Sequence, residues 1–293
     1  TDEHGFRYTW SGESYLSYED FQACDGPKGL FCGGSSAFGV GTTNDKLTIP
    51  SLINARSDAT WFNFGVRASN STQELLLFQF YLPRVEKVVL YSGVNNLVAH
   101  MGSAYFAPPF GSFCEDHLFY LLSTRMSAKQ AIREMLPKST RAWIRDWFGT
   151  LLHLEPNHAS TTDFEARYLA SMKIVERDME VWRILRDGRG FSLCYILQPL
   201  FPWTKRRPCP EEQELFEILD VLGGPRWQTM SSLIDDNYER YSADLAELCR
   251  SKGIDYVDVN NVVPEYGWIF CDRAHLTDQG SMAMANAIAP AIQ

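Results

Sequence analysis

Five short, largely apolar runs recur along the chain, separated by stretches whose apolar positions repeat every three or four residues. The runs are Gly29–Cys32, Thr60–Phe64, Lys87–Tyr91, Phe191–Leu197 and Asp255–Val259, all of strand length. Val88-Val89-Leu90-Tyr91 is apolar at every position, as a parallel strand covered on both faces requires. Alternation of such runs with helical patterns predicts a parallel sheet wrapped by helices. Pro50, early in the segment Thr48–Arg56, suits a first helical turn, where its missing N–H is harmless. Ser71-Thr72-Gln73-Glu74 reads as a capping box before Leu75-Leu76-Leu77-Phe78. A last helix opens near Thr277-Asp278, with Met282, Ala285 and Ile288 expected on one face.

Between the third and fourth strands the pattern predicts a long excursion, about residues 97–190, well beyond a usual connection. It starts with a loop containing Tyr105-Phe106-Ala107-Pro108-Pro109-Phe110. Helical segments follow around 115–135, around Trp143, Trp147 and Leu151, and along Phe164, Tyr168, Met172, Val175, Met179 and Trp182. The last spacings give a single apolar stripe, which either packs on the sheet or caps a pocket for an acyl group or sugar. Internal repeats are lacking, so 1–293 reads as one domain carrying a helical insertion at about 97–190.

Composition narrows the function classes. A hydrophobic fraction of 45% with 22% charged residues is ordinary for a globular protein, and no stretch is apolar enough to span a bilayer. The net charge of −9 argues against nucleic acid or an anionic membrane as partner. The basic run Lys205-Arg206-Arg207 reads as a solvated loop, and Asp235-Asp236 as an exposed acidic pair. Seven cysteines, scattered without CxxC spacing, disfavour a zinc site and a complete disulfide framework. Cys32 and Cys194 sit in apolar runs and read as buried thiols. A reducing, cytoplasmic compartment is therefore the expectation. The alternative is secretion after removal of a leader, since the chain opens at Thr1 and Asn70-Ser71-Thr72 fits a glycosylation acceptor. Gly39-Val40-Gly41 lacks the third glycine of a dinucleotide turn, and neither a metal nor an organic cofactor is expected.

Three islands carry the candidate chemistry: Gly33-Gly34-Ser35, Gly93-Val94-Asn95-Asn96 and Asp272-Arg273-Ala274-His275. Ser35 directly follows the first strand, at the end of a parallel sheet where ligands bind. A serine needs an adjacent base to become a nucleophile. Among six histidines His275 suits that task, because Asp272 lies three residues before it and can hold the other ring nitrogen. His4, His100, His117, His153 and His158 read as structural. A developing oxyanion needs fixed donors, and the Ser35 amide, the Gly65 amide and the Asn95 side chain all follow strands. Gln198 and Phe201, just after the fourth strand, are expected to border the pocket. Each island alone is commonplace. In this order, each at a strand end, they point to acyl transfer through a serine.

On these blocks the chain resembles the SGNH hydrolases, the GDSL-type esterases and lipases. Gly34-Ser35 and Gly39 keep the spacing of the first block, with glycine where Gly-Asp-Ser members have aspartate. Asn63-Phe64-Gly65 resembles the second block, whose usual later glycine is Ala68 here. Gly93-Val94-Asn95-Asn96 resembles Gly-x-Asn-Asp, with Asn96 in place of the aspartate, and Asp272-x-x-His275 is intact. The resemblance implies a flavodoxin-like three-layer αβα sandwich with a five-stranded parallel sheet. It also implies a metal-free triad of Ser35, His275 and Asp272, an oxyanion hole of Ser35, Gly65 and Asn95, and a small-molecule or carbohydrate ester as substrate. An α/β-hydrolase elbow fits less well, because it wants glycine two residues after the serine, where Ala37 stands. Three alternatives stay open: an acyltransferase with the same triad, an inactive ligand-binding protein, and, last, a nucleotide binder. Oligomeric state is not legible in the sequence.

Overall fold

A computed structural model describes residues 1–102 and 161–292. A small antiparallel pair, β1 (Thr9–Trp10) and β2 (Tyr15–Leu16), precedes α1 (Tyr18–Ala23). The main sheet consists of β3 (Lys28–Gly33), β4 (Thr60–Gly65), β5 (Lys87–Ser92), β6 (Ser192–Leu197) and β7 (Asp255–Asp258). All its pairings are parallel and the spatial order is β4-β3-β5-β6-β7. That is the flavodoxin-like order, in which the chain runs outward in opposite directions from the gap between β3 and β5. The five expected strands are thus present, each within a residue or so of its expected bounds.

The apolar runs are continuous because each strand is covered on both sides. Leu30, Cys32, Phe62, Phe64, Val88, Leu90, Leu193 and Tyr195 face one core. Their neighbours Phe31, Trp61, Val89, Tyr91, Cys194 and Ile196 face the other, as the strand period of two demands. The first core is closed by α4 (Ser71–Tyr81), α6 (Thr161–Arg189) and α8 (Tyr238–Ser251), through Phe78, Trp182, Tyr241 and Leu245. The second is closed by α3 (Ile49–Asn54) and α9 (Asp278–Ile288), through Ile53, Met284 and Ile288. Three layers result.

The stripe along α6 packs on the sheet: Phe164, Tyr168, Val175, Met179 and Trp182 are buried there. The excursion opens as helix, because α5 (Val94–Gly102) starts within the Gly93–Asn96 block. The loop at Tyr105–Phe110 and the helices expected around 115–135 and around Trp143 lie outside the described residues. Among the described residues no helix is long and apolar enough to cross a membrane.

Four local expectations are corrected. The cap of α4 is Asn70, whose side chain accepts from the Gln73 amide while Gln73 returns a bond to the Asn70 amide. Ser71 is unsuited to that task because its hydroxyl donates to buried Asp178 at 2.7 Å. On α9 the buried face is Ser281, Met284, Ala285 and Ile288, and Met282 is 43% exposed. Gln198 and Phe201 follow β6, but Phe201 packs in the second core against Phe216 and Phe270. Arg206 is not solvated: it donates to both carboxylate oxygens of buried Glu212, at the start of α7 (Pro210–Asp236). Glu212 also accepts from the amides of Ile269 and Phe270, so this pair anchors the segment that leads to Asp272.

Candidate active site

The strand register brings Gly33, Gly65, Ser92 and Leu197 to one edge of the sheet. Gly33 turns the chain there with φ +152°, and a Cβ on it would lie 2.2 Å from the Tyr91 carbonyl oxygen, so no other residue fits. After extended Gly34 the backbone enters α2 (Ser35–Phe38), with Ser35 as its first residue. The Ser35 amide therefore has no acceptor within the helix.

The histidine arrives from the far end of the chain on a narrow loop. Phe270 bridges Leu276, and the Cys271 amide donates to the His275 carbonyl at 2.9 Å. Inside the loop, Asp272 Oδ1 accepts from the amides of Ala274 and His275, both at 2.7 Å. Its Oδ2 lies 2.5 Å from His275 Nδ1, and His275 Nε2 lies 2.7 Å from Ser35 Oγ. Burial works against charge on Asp272, but the bonds from the His275 ring and the two amides prevail and hold its carboxyl below the ordinary range. An ionised Asp272 fixes the tautomer with hydrogen on Nδ1. Nε2 is then free to accept from the Ser35 hydroxyl, the arrangement that removes a proton as the oxygen attacks a carbonyl.

A second set of bonds sets the spacing between these two segments. Ser36 Oγ donates to the Ala274 carbonyl at 3.0 Å, and Gln198 Nε2 donates to Ser36 Oγ at 3.1 Å. The Phe201 amide donates to the Arg273 carbonyl at 2.8 Å. Sequence reasoning passed over Ser36, because nothing local signals a partner 238 positions away.

Of the expected oxyanion donors, Asn95 stands beside Ser35 and its Nδ2 donates one hydrogen to the Ser69 carbonyl at 2.7 Å. Its second hydrogen has no partner among the described residues. Gly65 is a correction. Its amide donates to Asn63 Oδ1 at 3.1 Å, and a Cβ on it would meet the Phe38 amide nitrogen at 2.3 Å. The glycine there serves the close approach of β4 to α2. Three residues on, Ala68 takes φ +62°, a conformation glycine adopts without strain. Its neighbour Ser69 donates to the Gly33 carbonyl at 3.0 Å, and the Ala68 amide has no acceptor among the described residues. Asn96, where the resemblance expects aspartate, accepts from the Ser71 amide at 2.9 Å and so secures the start of α4.

A cavity of about 440 Å³ opens over Ser35, Asp272 and His275. Val94, Asn95 and Val98 of α5 form one wall, Gln198, Leu200 and Pro202 a second, and Leu219, Ser231, Ile234 and Asp235 of α7 a third. Gln198 lines this cavity, whereas Phe201 does not. Asp236 is exposed, but Asp235 is half-buried, and burial pushes its carboxyl up to about 6 against the pull of Arg273. His4 pairs with Glu19 and is not part of the cavity.

No protein-family model matches the sequence, and no curated protein matches it either. Solved structures do. The extracellular lipase of Streptomyces rimosus aligns over 92% of this chain and 100% of its own, with 10% identity and a TM-score of 0.50. A protein of Desulfitobacterium hafniense DCB-2, described as lipolytic and of the G-D-S-L family, aligns over 91% and 100%, with 10% identity and a TM-score of 0.46. The acetyl xylan esterase AlAXEase aligns over 91% and 100%, with 12% identity and a TM-score of 0.44. The chain shares its overall fold with the Streptomyces rimosus lipase. At these identities the likeness speaks for architecture alone, to which the parallel sheet with order β4-β3-β5-β6-β7 belongs.

Proposed function

We propose that the protein is a serine esterase or deacylase. Ser35 attacks the ester carbonyl, His275 takes the hydroxyl proton and returns it to the departing alcohol, and Asp272 orients the imidazole. The carrying observation is the unbroken path from Ser35 Oγ through His275 to Asp272, with contacts of 2.7 Å and 2.5 Å, at the floor of a cavity. An acyl-enzyme on Ser35 forms and water then hydrolyses it by the same proton route. The oxyanion would be met by the Ser35 amide and the free hydrogen of Asn95 Nδ2. The Ala68 amide, with no acceptor of its own, takes the place first given to Gly65.

The reading needs no metal or organic cofactor for any step. Its test is hydrolysis of a panel of 4-nitrophenyl esters by the wild type and by Ser35→Ala. Turnover by the wild type and none above background by the variant supports the proposal. Equal rates in both would remove Ser35 from the mechanism.

A further inference from the structure

One group on the cavity wall has no part in the chemistry above. Asp235, on α7, stands among Val94, Val98, Leu200, Leu219 and Ile234. Its side chain makes no hydrogen bond among the described residues, and its Oδ1 is buried without a partner. An ionised carboxylate can only accept, and a buried acceptor lacking a donor is costly enough that it calls for an explanation. Neighbouring charges do not supply one. The Arg273 guanidinium attracts Asp235, but it bonds Asp220 at 2.7 Å and lies over the Phe216 ring. Asp236, the next residue, repels it. A carboxyl titrating at about 6 is still mostly charged at neutral pH.

Size sets a second condition. At the roughly 30 Å³ that one water takes in the liquid, 440 Å³ is room for about fifteen water-sized groups. An acetyl group would leave most of that space empty. The occupant therefore has an apolar body for the aliphatic walls. Among the described residues, Arg273 Nε on this wall is likewise buried without a partner, but Asp235 is the unpaired acceptor, so the occupant should also carry a donor.

Building on the esterase reading of Ser35, we propose that the cavity selects an ester with an apolar chain bearing a hydroxyl or ammonium group, which donates to Asp235. A carboxylate at that point would meet like charge. Asp235 is thus a specificity-determining residue.

The test uses two series of eight-carbon esters, each ending in methyl, hydroxyl or ammonium. One series is 4-nitrophenyl esters varied in the acyl chain, and the other is acetates varied in the alcohol. In at least one series the donor-ended ester should exceed the methyl-ended one in kcat/KM by about ten- to a hundred-fold, the worth of a bond to a charged acceptor. Asp235→Leu should bring that ratio to near one. Asp235→Asn separates the two head groups, since it abolishes the ammonium preference and keeps part of the hydroxyl preference. Absence of any preference in both series, or a preference that survives in both variants, overturns the proposal. Failure of the esterase reading looks different: no ester of either series is turned over, and Ser35 resists a fluorophosphonate.

Discussion

Replacing Ser36 by alanine removes one oxygen that joins the two halves of the site. Two bonds vanish, to the Ala274 carbonyl at 3.0 Å and from Gln198 Nε2 at 3.1 Å. Gln198 is only 3% exposed, so its amide is left buried without an acceptor. Such an orphan costs about 1–3 kcal/mol. For a chain of this size each kcal/mol lowers Tm by roughly 2–4 °C, so a fall of about 2–12 °C is expected. Catalysis should suffer separately. The 2.7 Å contact between His275 Nε2 and Ser35 Oγ is held across segments that Ser36 connects, and a displacement of about 1 Å costs on the order of 10² in rate. Thermal unfolding followed by steady-state kinetics on a 4-nitrophenyl ester, well below the new Tm, reads both effects. The expected pattern is a kcat lowered by about 10- to 100-fold with KM nearly unchanged. A Tm within 1 °C of the wild type together with kcat within twofold would refute the reasoning.

Asn95→Ala should lower kcat by about 10²–10³-fold if its second amide hydrogen meets the oxyanion, and a near-normal kcat assigns that task to backbone amides alone. Ala68→Gly relieves a left-handed residue at φ +62° and should stabilise by about 1 kcal/mol, read as a Tm a few degrees higher; an unchanged or lower Tm contradicts strain at that turn. Glu74 is buried, and burial, with Asp178 nearby, pushes its carboxyl up to about 8 despite the bond from Ser92. Between about 4.5 and 8 the folded state holds a proton that the unfolded state has lost, so Glu74 makes stability fall as pH rises through that window, by at most about 5 kcal/mol. Glu74→Gln should therefore raise Tm relative to the wild type at pH 8.5 and change it little at pH 5; an equal difference at both would contradict the assignment.

The strands were legible because burial on both faces leaves a simple mark, an unbroken apolar run such as Val88–Tyr91. Ser35 was legible as a serine at a strand end and Asp272 and His275 by their spacing, and the loop between Phe270 and Leu276 carries those two to Ser35. Features set by distant partners left no local trace. Arg206 looks like a surface cation until Glu212 and the loop at 269–270 enclose it. Asp235 looks solvated until α7 folds against the cavity. Ala68 carries no sign of a left-handed backbone, which is why Gly65 was the more obvious donor. On α9 two methionines two residues apart fit the same period nearly as well, and only packing selects Met284 over Met282.

Every functional statement depends on a reactive hydroxyl at residue 35. Treating the intact protein with a fluorophosphonate at neutral pH and locating the adduct by peptide mass spectrometry tests this directly. A single stoichiometric adduct on Ser35, lost in His275→Ala, is the expected result. An unlabelled Ser35, or labelling undiminished in the His275 variant, would contradict it.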